Sequence, residues 1–196
     1  MSVLTNEQKV EILSEIVAIP SVNDNELAVA QYLAQWLNQY DIDTHIDYIS
    51  GQRANLIATI GSGKPVVAVS GHMDVVNEGN HDDWTSPPFE LTERNGHLYG
   101  RGAADMKSGL AALVIAMIEI KASGQLKNGT IKLLATAGEE MEQAGSEQLY
   151  RKGYMDDVDA LVIAEPSYPS IVYAHKGSMD IKITSCLLYT SDAADE

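Results

Sequence analysis

Apolar runs that alternate with amphipathic segments restrict the fold of this sequence more than any other feature. Helical spacing of apolar residues predicts one helix ending before Pro20 and others over about 26–40, 106–122 and 146–152. Short apolar runs predict strands at 54–60, 66–70, 130–135, 160–164, 171–174 and 179–184. Since strands alternate with helices along the chain, we expect an α/β fold with a sheet between helical layers.

The composition is that of one folded domain, and it excludes several classes of protein. Of the 196 residues, 45% are apolar and 21% are charged, an ordinary globular balance. Acidic residues outnumber basic ones by 28 to 13, and a net charge of −15 repels phosphate backbones, so we expect no nucleic-acid partner. The longest apolar run, 110–118, is too short to span a bilayer, and the charged N-terminal segment is unlike a signal peptide. With Cys186 as the single cysteine, these features predict a cytoplasmic protein with no membrane partner.

Four short segments with ligand-forming side chains follow predicted strands or begin a predicted helix. They are 71–74 (GHMD), 100–107 (GRGAADMK), 138–140 (GEE) and 164–166 (AEP). Open α/β sheets bind their ligands beyond the carboxyl ends of their strands. The sequence therefore predicts a functional site at one edge of the sheet.

The first of these segments contains His72 and, two residues later, Asp74. In an extended chain the two side chains lie on the same side, so the Asp74 carboxylate can hold one ring nitrogen while the other binds a metal. The alternative is an ordinary loop histidine beside a solvated aspartate. Both interpretations stay open at this point.

Asp105 lies where a glycine-bearing loop turns into the third predicted helix. Its carboxylate has two oxygens and can bridge two cations, as in two-metal hydrolases. The alternative role is that of a helix N-cap. Glycines at positions 100 and 102 favour a close backbone approach, which an N-cap does not require.

Glu139 and Glu140 are adjacent acids directly after a buried strand. Two such charges are costly unless a cation compensates them, and consecutive side chains on an extended backbone point to opposite sides. One glutamate can therefore bind a metal while the other acts as a general base. A solvated acidic turn is the alternative. Glu165, which also follows a predicted strand, offers one further oxygen, or simply lies at a strand end before Pro166.

Taken together, the motifs resemble those of the co-catalytic, dinuclear zinc exopeptidases and deacylases. The matching segments are SGHMDVV, DDWTSPPFE, LYGRGAADMKSG, TAGEEMEQAGS and AEPS, in the order found in that family, and the resemblance covers roughly residues 4–185. It implies a three-layer sandwich with a mixed sheet between helices. It also implies hydrolysis of the amide bond of an N-acyl amino acid. N-succinyl-diaminopimelate is the first substrate implied, with acetylornithine and dipeptides as alternatives.

The resemblance further implies two Zn²⁺ ions, for which Co²⁺ can substitute, and a role for each site residue. His72 and Glu165 would bind one ion, Glu140 the other, and Asp105 both. Glu139 would be the general base and acid, and Asp74 would orient His72. The peptide bond after Asp105 is expected to be cis.

The same resemblance implies parts that this sequence does not supply. In the family the second ion receives a histidine from far toward the C-terminus, and a lid domain supplies another histidine and a dimer contact. We therefore interpret 1–185 as a partial catalytic domain of an inactive fragment. His175, which follows a predicted strand, is the one conceivable substitute ligand, but nothing near it has metal-ligand spacing. Residues 186–196 resemble a translated cloning adaptor and are expected to be disordered. A non-catalytic fragment that binds a single zinc is the alternative function.

Overall fold

The structure is a computed structural model that describes residues 2–167, 170–174 and 177. It divides into two units, Met1–Pro166 and Ser167–Glu196. In the second unit, the Ser167 hydroxyl donates a hydrogen bond of 2.6 Å to the carbonyl oxygen of Ser170. The predicted strand at 171–174 is wrong, because these residues form neither strand nor helix. Apolar residues alone do not form a strand, because a strand also needs a neighbouring strand with which to form backbone hydrogen bonds. The predicted strand at 179–184, His175 and the segment 186–196 lie outside the described residues.

The first unit contains four α-helices and seven strands among its described residues. The helices are α1 (Asn6–Ala18), α2 (Leu27–Gln39), α3 (Ser108–Ser123) and α4 (Ala144–Arg151). The strands are β1 (Asp43–Ser50), β2 (Arg53–Ser62), β3 (Val66–His72), β4 (Thr92–Arg94), β5 (His97–Tyr99), β6 (Gly129–Thr136) and β7 (Ala160–Ile163). A short 3₁₀ turn covers His81–Asp83, and a π turn, Ala103–Lys107, leads into α3. No helix in the described part of the chain is long and apolar enough to cross a membrane.

Local chemistry explains where α1 begins and ends. The Thr5 hydroxyl accepts a hydrogen bond of 3.2 Å from the backbone N–H of Gln8. The Gln8 side chain in turn accepts one of 2.9 Å from the backbone N–H of Thr5, which completes a capping box. The helix ends before Pro20, whose ring is incompatible with a continuing helix.

Five strands form one mixed sheet in the order β1-β2-β6-β3-β7. β2 is antiparallel to both β1 and β6, whereas β3 is parallel to both β6 and β7. The expected mixed sheet between helices is thereby confirmed. Strands β4 and β5 form a separate two-stranded sheet.

Apolar side chains on the two faces of the sheet pack against different helices. On one face, alternate residues of β2 join α1, α2 and α3 in the larger core, represented by Leu56, Ile16, Leu33 and Val114. On the other face, Ile57 belongs to a smaller cluster with Leu149 of α4 and its neighbours. The sheet is therefore the middle of three layers, and it fixes the direction in which each strand delivers its last residues.

Candidate metal centre

Three parallel strands end side by side and bring the predicted site residues together. In the register of the sheet, His72 of β3 is opposite Thr136 of β6, and Ser70 of β3 is opposite Ile163 of β7. Glu139 and Glu140 follow the end of β6, and Glu165 follows the end of β7. The site thus lies beyond the carboxyl ends of β3, β6 and β7, where the sequence predicts it.

The imidazole of His72 is the centre of the cluster, and it is almost fully buried. Its Nε2 atom lies 3.2 Å from Oδ1 of Asp105, 3.6 Å from Oε1 of Glu165 and 3.8 Å from Oε2 of Glu139. The three carboxylates are partly exposed, so the cluster is open to solvent. One ring nitrogen therefore faces several carboxylate oxygens at once.

The tight turn before α3 carries Asp105 into this cluster. Gly102 has a φ of 77°, and its carbonyl oxygen accepts a hydrogen bond of 2.8 Å from the backbone N–H of Lys107. The Asp105–Met106 peptide bond is cis. The alternative role of Asp105 as a helix N-cap is not found, because the N-cap of α3 is Lys107, and no side chain caps that end. The Asp105 carboxylate instead faces His72.

Asp74 is fully buried, and its carboxylate lies near His72 but forms hydrogen bonds with the backbone of the glutamate pair. One oxygen accepts a hydrogen bond of 3.1 Å from the backbone N–H of Glu139, and the other accepts one of 3.0 Å from that of Glu140. Its distance to Nδ1 of His72 is 3.7 Å, whereas the main-chain carbonyl oxygen of Asp74 is 2.8 Å from Nδ1. Asp74 thus contacts the imidazole through its main chain and the glutamate pair through its side chain.

Two sets of side chains in the described residues place metal-ligand atoms within 4.8 Å of one another. One set is His72, Glu139 and Glu165, and the other is His72, Asp105 and Glu140. Imidazole nitrogen and carboxylate oxygen are donors that zinc accepts in proteins, so the residues fit a divalent metal. The first set includes Glu139, to which the resemblance assigns proton transfer rather than metal binding.

The crowding of carboxylates alters the acidity of the cluster. Burial by itself disfavours the charged form of His72, but the charges of Asp74 and Glu165 outweigh this effect and raise its pKa. Partial burial raises the pKa of Glu165 to about 7, and the charges of Asp105 and Glu139 act in the same direction. The pKa of Glu140 is also raised, first by burial and then by the charge of Asp105. A bound cation would relieve this repulsion.

Sequence reasoning missed several buried polar residues next to the cluster. Lys107 is fully buried and donates hydrogen bonds to the carbonyl oxygens of Ile16, at 2.6 Å, and Ile19, at 2.9 Å. Burial lowers the pKa of Lys107 to about 7.

Arg53 and Asn55 occupy buried positions at the start of β2. Sequence analysis could have identified Arg53 and Asn55, because they occupy alternate positions in an otherwise apolar run.

Comparisons with known proteins agree with this geometry. Residues 68–188 match the model of peptidase family M20/M25/M40. Over 185 residues the chain is 56% identical to the "Probable succinyl-diaminopimelate desuccinylase" of Staphylococcus epidermidis, covering 94% of this chain and 46% of that protein. It is 35% identical over 161 residues to the succinyl-diaminopimelate desuccinylase of Wolbachia pipientis, covering 81% of this chain and 40% of the relative. The chain thus spans about half the length, or less, of these curated relatives.

Solved structures show the same fold. Human carnosine dipeptidase 1 has a TM-score of 0.68 and 29% identity, over 80% of this chain and 38% of that one. An M20 family metallo-carboxypeptidase from Sulfolobus solfataricus has a TM-score of 0.69 at 23% identity, over 80% and 37% of the respective chains. The matched family model covers more than half of the residues and includes every side chain of the cluster. The chain belongs to peptidase family M20/M25/M40.

Proposed function

We propose that this chain carries the metal-binding part of a two-zinc amidohydrolase that removes the acyl group from an N-acyl amino acid. The observation that carries the proposal is the convergence of His72, Asp105 and the glutamates at the ends of three parallel strands. The identity of 56% to a protein named as a desuccinylase makes N-succinyl-diaminopimelate the first substrate to test.

In this proposal the side chains of the cluster would hold two ions between them. His72 and Glu165 would hold the first ion, Glu140 would hold the second, and Asp105 would contribute to both. Zinc, when bound, polarises an acyl carbonyl and lowers the pKa of a water molecule. Co²⁺ is expected to substitute because it accepts the same donors. The second ion needs one more protein donor, which we expect from outside the described residues.

Glu139 is the residue that we propose for proton transfer. Its side chain is about half exposed, and Oε2 lies 3.8 Å from Nε2 of His72, so it reaches both solvent and the cluster. It accepts the proton of the attacking water and delivers it to the amine nitrogen as the C–N bond breaks, leaving a carboxylate and an amine. The buried Asp74 carboxylate fixes the backbone from which Glu139 extends.

A dipeptidase is the second candidate function, and acetylornithine is a third substrate. The observation that favours a dipeptide is the likeness to human carnosine dipeptidase 1, at 29% identity and a TM-score of 0.68. The chemistry at the ions is the same in each case, since all these substrates contain an amide bond. Discrimination between them depends on groups that contact the rest of the substrate.

The decisive experiment has two steps. Zinc is first titrated into this chain by calorimetry, where two binding events support the two-zinc site and a single event supports the one-zinc fragment. Residues 1–185 are then fused to the remaining C-terminal part of the Staphylococcus epidermidis relative. The fusion is incubated with N-succinyl-diaminopimelate, acetylornithine and a dipeptide. Release of succinate supports the first substrate, whereas cleavage of the dipeptide alone would replace it with the second candidate.

A matched pair of variants tests the role of Glu139 within the same fusion. Glu139→Gln keeps the size of the side chain but removes its basicity, so turnover should be lost while metal binding persists. Glu147→Gln, on the exposed surface of α4 where Glu147 pairs with Arg151, should retain turnover. Equal activity of Glu139→Gln and the unmodified fusion would refute the assigned role.

A further inference from the structure

We propose that Arg53 is a positioning residue for the acidic loop 138–142, acting together with Asn55 on the same face of β2 and with the buried Glu26. The inference rests on the proposed function, because this loop supplies Glu139 and Glu140.

Asn55 joins the two ends of the acidic loop. It is fully buried, and its side-chain oxygen accepts a hydrogen bond of 3.1 Å from the backbone N–H of Ala137. Its side-chain nitrogen donates one of 3.1 Å to the carbonyl oxygen of Gly145. The backbone N–H of Gly145 also donates directly to the carbonyl oxygen of Ala137, at 3.0 Å. The loop is thus closed at its base by one side chain and one main-chain bond.

Arg53 supports the loop itself, at the residue just before the glutamate pair. Gly138 has a φ of 71°, and a Cβ atom placed there would overlap Nη2 of Arg53. The guanidinium therefore lies directly against the backbone of Gly138. Its Nη1 atom is 3.7 Å from a carboxylate oxygen of Glu142 and 3.0 Å from one of Asp24. Arg53 accordingly contacts the loop on both sides of the glutamate pair.

Glu26 holds Arg53 from the opposite direction. Its side chain is completely buried, and Oε1 lies 3.8 Å from Nε of Arg53. Neither carboxylate oxygen of Glu26 has a hydrogen-bond partner among the described residues. Burial raises the pKa of Glu26, and the charge of Arg53, which the structure places beside it, acts in the opposite direction and favours the carboxylate. The backbone N–H of Leu27 donates a hydrogen bond of 2.8 Å to the carbonyl oxygen of Gln52. This bond keeps the start of α2 next to Arg53.

The glutamate pair is consequently held from two directions. Asp74 binds the backbone N–H groups of Glu139 and Glu140, while Arg53 and Asn55 fix the residues that flank them. Residues that orient metal ligands commonly contribute about 10–100-fold to metal affinity. If Arg53 were only a stabilising residue, its loss would lower the melting temperature but leave the geometry at the metal unchanged.

The test is a Co²⁺ titration of the complete 196-residue chain, followed by visible absorption, whose intensity reports coordination geometry. Arg53→Ala should weaken Co²⁺ binding by about tenfold or more and change the spectrum. Arg53→Lys keeps the charge but loses the planar fork, so we expect an intermediate effect. Arg151→Ala is the matched control, because Arg151 is exposed and pairs with Glu147 within α4. It should behave as the unmodified chain.

Gly138→Ala disturbs the same contact from the loop side. Its effect on Co²⁺ affinity should not add to that of Arg53→Ala in the double variant, because both act on one contact. If Arg53→Ala does not fold, then Arg53→Lys and Gly138→Ala decide the question. Unchanged Co²⁺ affinity and an unchanged spectrum in the Arg53 variants would overturn this inference but would leave the proposed function standing. An unmodified chain that binds no Co²⁺ would overturn the proposed function as well.

Discussion

Nδ1 of His72 lies 2.8 Å from the main-chain carbonyl oxygen of Asp74. A carbonyl oxygen can only accept a hydrogen bond, so Nδ1 carries the proton in the neutral imidazole, and Nε2 presents its lone pair to the carboxylates. This is the tautomer that a metal ligand requires. The contact uses the main chain, so it does not depend on the side chain at position 74.

His72 should be indispensable for metal binding. Both sets of ligand atoms include its imidazole, and no other described histidine lies in them. We expect His72→Ala to abolish measurable zinc binding in calorimetry. The control is His97→Ala, since His97 is exposed on β5 and its Nδ1 lies 3.0 Å from the carbonyl oxygen of Asn95, outside both sets of ligand atoms. Tight binding of two ions to His72→Ala would contradict the proposed site.

Replacing Asp74 by asparagine tests the support of the glutamate pair. The amide keeps one acceptor oxygen, but its NH₂ group would face a backbone N–H that now bonds to a carboxylate oxygen. We expect a loss of about 1–3 kcal/mol in the free energy of unfolding, measured by urea denaturation, because a buried donor loses its acceptor. Zinc affinity should fall about 10–100-fold in the same variant. Asp82→Asn, in the exposed 3₁₀ turn, should change neither quantity, and equal behaviour of the two variants would refute this role.

Metal affinity should depend on pH in a defined direction. The pKa of Glu165 in the metal-free chain is raised to about 7, so below that pH its carboxyl group is largely protonated. A bound cation requires the carboxylate, so the proton must leave, and affinity should fall as the pH decreases below about 7. Calorimetry in two buffers of different ionisation enthalpy measures the protons released.

Glu165→Gln provides the matched test of that assignment, since glutamine carries no titrating proton. The variant should release fewer protons on binding zinc and show a weaker pH dependence. Glu147→Gln, on the exposed surface of α4, should retain the behaviour of the unmodified chain. An unchanged pH dependence in Glu165→Gln would assign the proton to another group.

Lys107 should stabilise the fold through the end of α1. The last carbonyl groups of a helix lack partners within it, and Lys107 donates to those of Ile16 and Ile19. Lys107→Met keeps the length of the side chain but leaves both carbonyl groups without this donor. We expect it to lower the free energy of unfolding by about 1–3 kcal/mol in urea denaturation. Lys121→Met, near the exposed end of α3, is the control, and equal stability of both variants would refute the prediction.

The fold followed from the sequence wherever apolar pattern and tertiary environment agreed. The parallel strands β3, β6 and β7 are apolar runs, and their positions are close to those predicted. β1 was missed, because its residues Asp43 and Thr44 are polar and its pattern is weak. It forms because β2 supplies an antiparallel partner along nearly its whole length, which no local pattern reveals.

The candidate site was accessible from sequence because each side chain occurs at a strand or helix end. The partner of the Asp74 carboxylate was not, since its contact with the backbone of Glu139 and Glu140 joins residues separated by more than sixty positions. Spacing within a segment indicates which side chains share a side. It carries no information on main-chain atoms from another strand. For the same reason, the contact between Arg53 and the backbone of Gly138 could not be predicted from the sequence.

The change of strand direction between β6 and β2 separates the sheet into a part that presents the metal centre and a part that supports it. Among the described residues, every candidate ligand extends from the β3, β6 and β7 side or from the turn before α3, and β1 and β2 contribute none. Substitutions that alter which metal or substrate is accepted should therefore accumulate in the loops after the parallel strands. Substitutions in β1 and β2 would instead act on the metal centre indirectly, by changing how firmly those loops are held.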